Sequence, residues 1–174
     1  MKHVNIRPSS IRKVMGLEIR RAVEEDSAAI ATVLHEAFVE YESLYTPGGF
    51  AATTPSADTI RERFSEGPVW VTVQDGAIVG TVAVVLRGEG LYVRSMAVLP
   101  DARGQKVGEL LLREVEGYAL EVGAAYMYLS TTPFLDRAIR LYERFGFSRP
   151  DERVGDLHGT PLFEMVKKLS RREA

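Results

Sequence analysis

Ala97-Val98-Leu99-Pro100-Asp101-Ala102-Arg103-Gly104-Gln105-Lys106-Val107-Gly108 carries an apolar strand into a basic, glycine-containing turn and on into a helix. Residues 96–99 belong to the strand, Pro100 and Asp101 end it, and a helix is expected to begin near Gln105. The first amides of a helix lack intrahelical acceptors, and the helix dipole adds partial positive charge there. The turn therefore suits an anion such as a pyrophosphate. Gly104 and Gly108 let backbone approach a ligand without an intervening Cβ. Turns of this kind also open helices that hold no ligand, so the remainder of the chain has to decide.

A second segment does so. Leu135, Ala138, Leu141-Tyr142 and Gly146-Phe147 follow a short strand at 126–131, at the distance expected if one more helix packs beside the first. Together the two segments resemble the GCN5-related N-acetyltransferase (GNAT) family, over about residues 17–169. That family's acetyl-CoA motif reads Arg/Gln-x-x-Gly-x-Gly/Ala, and its later helix reads Asn-x-x-Ala-x-x-Leu-Tyr-x-x-x-Gly-Phe. Two positions depart from the pattern: Lys106 stands at the middle glycine and Leu135 at the asparagine. Lysine keeps its backbone N–H and adds an ammonium that can meet a phosphate. Leucine removes a side-chain hydrogen bond to the pantetheine arm.

The resemblance implies a mixed, mostly antiparallel α/β sheet flanked by helices, with a V-shaped splay between the fourth and fifth strands, 91–99 and 126–131. It implies that backbone groups of Met96, Ala97 and Val98 pair with pantetheine like an added strand, in a cleft opened by a bulge. An N–H near Val98 would then face the developing oxyanion. Residues Arg103 to Glu109 (Arg103, Gly104, Gln105, Lys106, Val107, Gly108, Glu109) would hold the phosphates, with Leu135 beside the arm. Tyr142 matches the family's tyrosine and would protonate the departing thiolate. Leu135, Ala138, Ile139, Tyr142 and Phe145 also share a helix face, so a packing role for Tyr142 is the competing reading.

Composition narrows the field. The 174 residues, 45% of them apolar, are enough for one ordinary domain with its own core. Twenty-two Lys and Arg against 24 Asp and Glu leave a formal charge of −2, which does not fit non-specific nucleic-acid binding. With no cysteine, thiolate metal sites and cysteine nucleophiles drop out, and the three histidines have no metal-ligand spacing. No apolar run approaches the ~20 residues of a membrane span, and residues 1–16 lack the apolar stretch of a secretory signal. A cytoplasmic protein using no metal is expected, and the resemblance adds acetyl-CoA, an amine acceptor and a homodimer.

Along the chain, residues 1–16 read as an extension outside the fold, 17–169 as the single domain and 170–174 as a polar tail. A strand at 17–23 precedes a helix carrying Ile30, Val33, Leu34, Ala37, Phe38 and Tyr41. Pro47, Gly48, Gly49 and Pro55 read as breakers through 43–56, with a short helix at 57–65. Residues 69–74 and 77–86 form a hairpin about Asp75-Gly76. Thr132-Pro133 reads as the start of the next helix and 161–166 as the last strand.

No general base stands out. Glu36, Glu40, Glu42 and Glu89 lie near the acceptor region but read equally as solvated carboxylates, while Tyr41, Tyr45, Phe50 and Trp70 are candidates to line the pocket. Carboxylates there would suit a cationic acceptor. Acetyl transfer by direct attack of a primary amine of a small molecule or peptide is the leading function; a non-catalytic CoA-binding or regulatory interaction module on the same fold is the alternative.

Overall fold

The computed structural model describes residues 11–152 and 154–170. Eight strands form its sheet: β1 (Arg12–Val14), β2 (Leu17–Arg21), β3 (Val69–Gln74), β4 (Ala77–Arg87), β5 (Gly90–Val98), β6 (Tyr126–Thr131), β7 (Gly155–Leu157) and β8 (Thr160–Lys168). They lie in the order β1-β2-β3-β4-β5-β6-β8-β7. Every neighbouring pair is antiparallel except β5 and β6, which the helix α4 (Val107–Glu121) connects as a parallel crossover. The mixed α/β architecture expected from the sequence is the one observed.

Both sheet faces are covered, which is why β3 reads Val-Trp-Val-Thr without alternation. Val69 and Val71 pack under α1 (Ser27–Phe38) and α3 (Ala57–Arg63), whereas Trp70 joins the core beneath α4. Leu111, Leu112 and Val115 of α4 are fully buried. Each such side chain contributes roughly 1.5–3 kcal/mol. Gly80 of β4 fixes how closely α4 approaches, since a Cβ there would lie 2.7 Å from Val107 Cγ1. The hairpin at Asp75-Gly76 forms as expected, with φ of 50° and 79°.

The structure changes several expectations. Residues 12–14, assigned to an extension, form β1 and pair with β2, so the sheet starts before Leu17; residues 1–10 and 171–174 lie outside the described residues. The stretch with Pro47 and two glycines is a helix, α2 (Pro47–Thr53). Thr46 caps it by accepting from the Gly49 N–H at 3.0 Å, and Pro47 occupies the first turn where its missing N–H costs nothing. Gly49 is there for proximity: a Cβ would lie 2.3 Å from Thr160 Oγ1. Pro133 does not start a helix. It sits in a turn closed by the Leu135 N–H donating to the Thr132 carbonyl at 3.2 Å, and α5 (Asp136–Phe145) begins afterwards. Phe134, held in that turn, packs edge-on against Tyr45 with ring centroids 4.8 Å apart.

One ion pair fastens β2 to the start of α1. Arg20 donates to both carboxylate oxygens of Asp26, at 2.8 and 3.0 Å, and Asp26 also accepts the Val23 N–H at 2.9 Å. The hydrogen bond from Arg20, followed by that from Val23, holds the Asp26 carboxyl below its ordinary range. A depressed carboxylate pKa contributes stability that is complete above the unfolded value of about 3.9 and is lost as pH falls through the folded pKa. Asp26→Asn is expected to lower stability by about 1–2 kcal/mol near pH 7, and urea titrations should show that difference closing below about pH 4.

Candidate active site

The sheet opens where β5 parts from β6. Only Gly90, Leu91 and Tyr92 pair with β6, leaving the β6-facing edge of residues 93–98 without a strand partner. A bulge lies in the same stretch: Thr81 pairs with Ala97 and Ala83 with Arg94, so Val82 faces two residues, Ser95 and Met96. Ser95 takes a φ of 50°, a left-handed conformation that a non-glycine residue adopts only when its surroundings hold it there. The free, β6-facing edge at Met96, Ala97 and Val98 can accept an extended ligand as a strand would.

Two cavities enter this opening from opposite sides. One, of about 410 Å³, lies between α4 and α5 and is lined by Met96, Ala97, Val98, Arg103, Gly104, Lys106, Val107, Gly108, Glu109 and Leu135. Of the residues expected to hold a cofactor, Gln105 alone does not line it. Its side chain accepts from Gln74 Nε2 at 2.6 Å and ties the loop to β3. The second cavity, of about 360 Å³, lies toward α3 and the β7–β8 hairpin. Phe38, Met96, Leu135 and Tyr142 line both, so the two meet at Tyr142.

The helix starts at Val107, two residues after the expected Gln105. Its cap, Lys106, has φ 63° and ψ 19°, and Gly104 before it has φ 81°. The first backbone bond into the helix runs from the Leu110 N–H to the Lys106 carbonyl at 3.0 Å. Among the described residues the amides of 104–109 make no such bond, so they are free to face an anion. Lys106 thus holds the left-handed geometry that glycine adopts without strain, and the loop keeps its shape. Lys106→Gly is expected to raise stability by about 0.5–1 kcal/mol while weakening binding of an anionic ligand through loss of the ammonium; thermal melts and calorimetry check the two effects separately.

Arg103 is otherwise engaged. Its guanidinium bonds Glu40 at 2.5 Å and the Ala37 carbonyl at 3.3 Å, fixing the loop to the end of α1. Gly108 serves packing as much as ligand access, since a Cβ there would lie 2.7 Å from Leu141 Cδ2. Glu109 accepts from Arg113 at 2.6 Å. Positive charge on the far wall comes from Arg137 and Arg144 of α5.

Tyr142 is buried, with the Phe147 ring edge-on at 5.9 Å. Burial, and secondarily the Tyr45 phenol, pushes its pKa well above the ordinary 10, so the hydroxyl holds its proton at neutral pH and is a weaker acid than a free phenol, able to protonate only a base that is itself poorly solvated. The packing and chemical readings of Tyr142 are therefore compatible: it is a core residue whose position brings it to the wall of both cavities. Among the other aromatic candidates, Tyr45 lines the second cavity and Tyr41 the first. Trp70 packs instead against Tyr118 beneath α4, and Phe50 against His35 and Tyr45. None of Glu36, Glu40, Glu42 and Glu89 lines either cavity.

The sequence profile of the acetyltransferase (GNAT) family matches residues 31–147, a span that contains the loop, the bulge and Tyr142. The chain belongs to the GNAT family. Over 143 residues this GNAT protein is 32% identical to the uncharacterized N-acetyltransferase YjgM of Escherichia coli, covering 79% of the chain and 85% of that protein. It is 35% identical to an IAA acetyltransferase of Azospirillum brasilense over 80 residues, 45% of this chain and 52% of the other. Among solved structures, a GCN5-related N-acetyltransferase from Rhodopseudomonas palustris superposes with a TM-score of 0.73 at 19% identity, over 92% of this chain and 100% of that one. PaiA N-acetyltransferase from Thermoplasma acidophilum, in complex with coenzyme A, gives 0.71 at 20% identity over 89% and 100%. The GNAT chain is accordingly an acyltransferase enzyme.

Proposed function

We propose that the protein transfers the acetyl group of acetyl-CoA directly to a primary amine. What supports this most is the meeting of the two cavities at Tyr142, Met96 and Leu135, beside the unpaired edge of β5. Amides of residues 104–109, with Lys106, hold the pyrophosphate; Met96, Ala97 and Val98 align the pantetheine arm, and Leu135 closes over it without a polar contact. A backbone N–H near Val98 faces the oxyanion that develops on the acetyl carbonyl. The neutral amine enters through the second cavity and attacks the carbonyl carbon, the C–S bond breaks as Tyr142 gives its proton to the departing sulfur, and the proton the nitrogen loses on becoming an amide passes to solvent in the cavity, from which Tyr142 is reprotonated. The chain has no cysteine to carry an acyl group, in keeping with direct attack.

Calorimetric titration with acetyl-CoA, alongside dephospho-CoA and adenosine diphosphate, tests the first half of the reading. Saturable binding is expected, with release of free thiol once an amine is added. No heat at millimolar acetyl-CoA would overturn it.

A further inference from the structure

The second cavity has an unusual charge pattern for a place that must receive an amine. Its lining includes three arginines, Arg63 of α3, Arg87 of β4 and Arg94 of β5, and no Asp, Glu or His among the described residues. Arg94 donates from one terminal nitrogen to Glu66 Oε2 at 2.8 Å, yet its Nε is buried with no partner. The Arg63 side chain makes no hydrogen bond or ion pair among the described residues; the carboxylate whose charge reaches it is Glu66, already bonded to Arg94. Arg87 lies over the Tyr92 ring at 4.5 Å, and its guanidinium makes no hydrogen bond or ion pair among the described residues. Two guanidinium groups thus share one carboxylate and a third stands nearby, leaving the pocket with excess positive charge and idle planar donors.

We infer that the acceptor amine carries its own anionic group, a carboxylate or a phosphate, which Arg63 and Arg94 bind while the amine points toward Tyr142. The inference rests on the acetyl-transfer reading of the same site, and it reverses the expectation of a cationic acceptor held by carboxylates. A forked guanidinium matches the planar oxygens of a carboxylate or the face of a phosphate. The pocket's volume, about 360 Å³, is that of a small-molecule site. The same charges bear on the absent base. Neutralising the acceptor's own anion removes the charge that keeps its ammonium protonated, and a second guanidinium opposes protonation further. The amine then approaches the ~7.7–8.0 of an α-amino group without a free carboxylate beside it, and a useful neutral fraction exists near pH 7–8 without a protein carboxylate to create it.

The test compares matched acceptors on the wild-type enzyme with acetyl-CoA: each common amino acid, its carboxamide and its decarboxylated amine, together with phosphoethanolamine and ethanolamine. Thiol release should give kcat/KM at least 30-fold higher for anionic members than for their neutral partners, and the amino-acid and phosphate arms distinguish the source of the charge. Arg63→Met should erase most of that preference through KM while acetyl-CoA affinity, read at a cavity that Arg63 does not line, stays as in wild type, and Arg63→Lys should retain part of the preference. Because the preference is read first on wild type, it does not depend on how the variant folds. An enzyme that binds acetyl-CoA but uses the neutral members equally well, or acetylates none of the anionic ones, overturns the inference. Failure to bind acetyl-CoA overturns the acetyl-transfer reading instead.

Discussion

Tyr142→Phe is expected to lower kcat by about 10²–10³-fold while leaving acetyl-CoA affinity and thermal stability nearly unchanged. A positioned acid is generally worth about 10²–10⁴ in rate, and in the proposed reaction this one would meet the leaving group where the two cavities join. Phenylalanine fills the same buried space and keeps the edge-on contact with Phe147, so fold and cofactor site survive. A pH dependence follows from the same environment. Desolvation raises the phenol above its usual 10, so the proton it must donate is in place throughout the neutral and mildly alkaline range. Wild-type kcat/KM should therefore climb as the acceptor amine loses its proton and show no falling limb below pH 10. A Phe variant within threefold of wild type, or a falling limb near pH 9, would remove Tyr142 from its role.

Residues at fixed local spacing could be read from sequence because their cause is local. The Asp75-Gly76 hairpin, the strand at 126–131 and the loop from Pro100 to Gly108 each depend on turn chemistry or a helix terminus. The tyrosine in Leu141-Tyr142 needed only its place in a helix motif. Other features depend on partners far along the chain. Gly49 resembles a helix breaker until Thr160, more than a hundred residues away, is seen to need its missing Cβ. Residues 12–14 are too short and polar to announce a strand; β2 supplies their pairing. The arginines of the second cavity come from α3, β4 and β5, and nothing in a linear chain brings Arg63 to Arg94. Arg94 carries one signal in the sequence, as the charged residue of an otherwise uncharged strand. Its meaning required knowing that the strand parts from its neighbour there.

Substituting Gly104 by glutamate should raise the acetyl-CoA dissociation constant by at least 100-fold. Gly104 has φ 81°, and a Cβ built on it meets nothing within 4 Å, so the position is open but conformationally demanding. Two effects can be separated. Any L side chain there incurs left-handed strain of about 1–2 kcal/mol, which lowers the melting temperature. Glutamate in addition sets a carboxylate beside the amides that would face the pyrophosphate; unit charges about 4 Å apart repel by about 4 kcal/mol at an effective dielectric constant near 20. Gly104→Ala carries the strain without the charge, so it should melt earlier yet bind acetyl-CoA within a few-fold of wild type. Adenosine diphosphate, which has the pyrophosphate but no pantetheine, should lose affinity in the glutamate variant by a similar factor. If glutamate at 104 leaves both ligands binding as before, the phosphates do not lie at residues 104–109, and the anion-holding role of that loop falls with them.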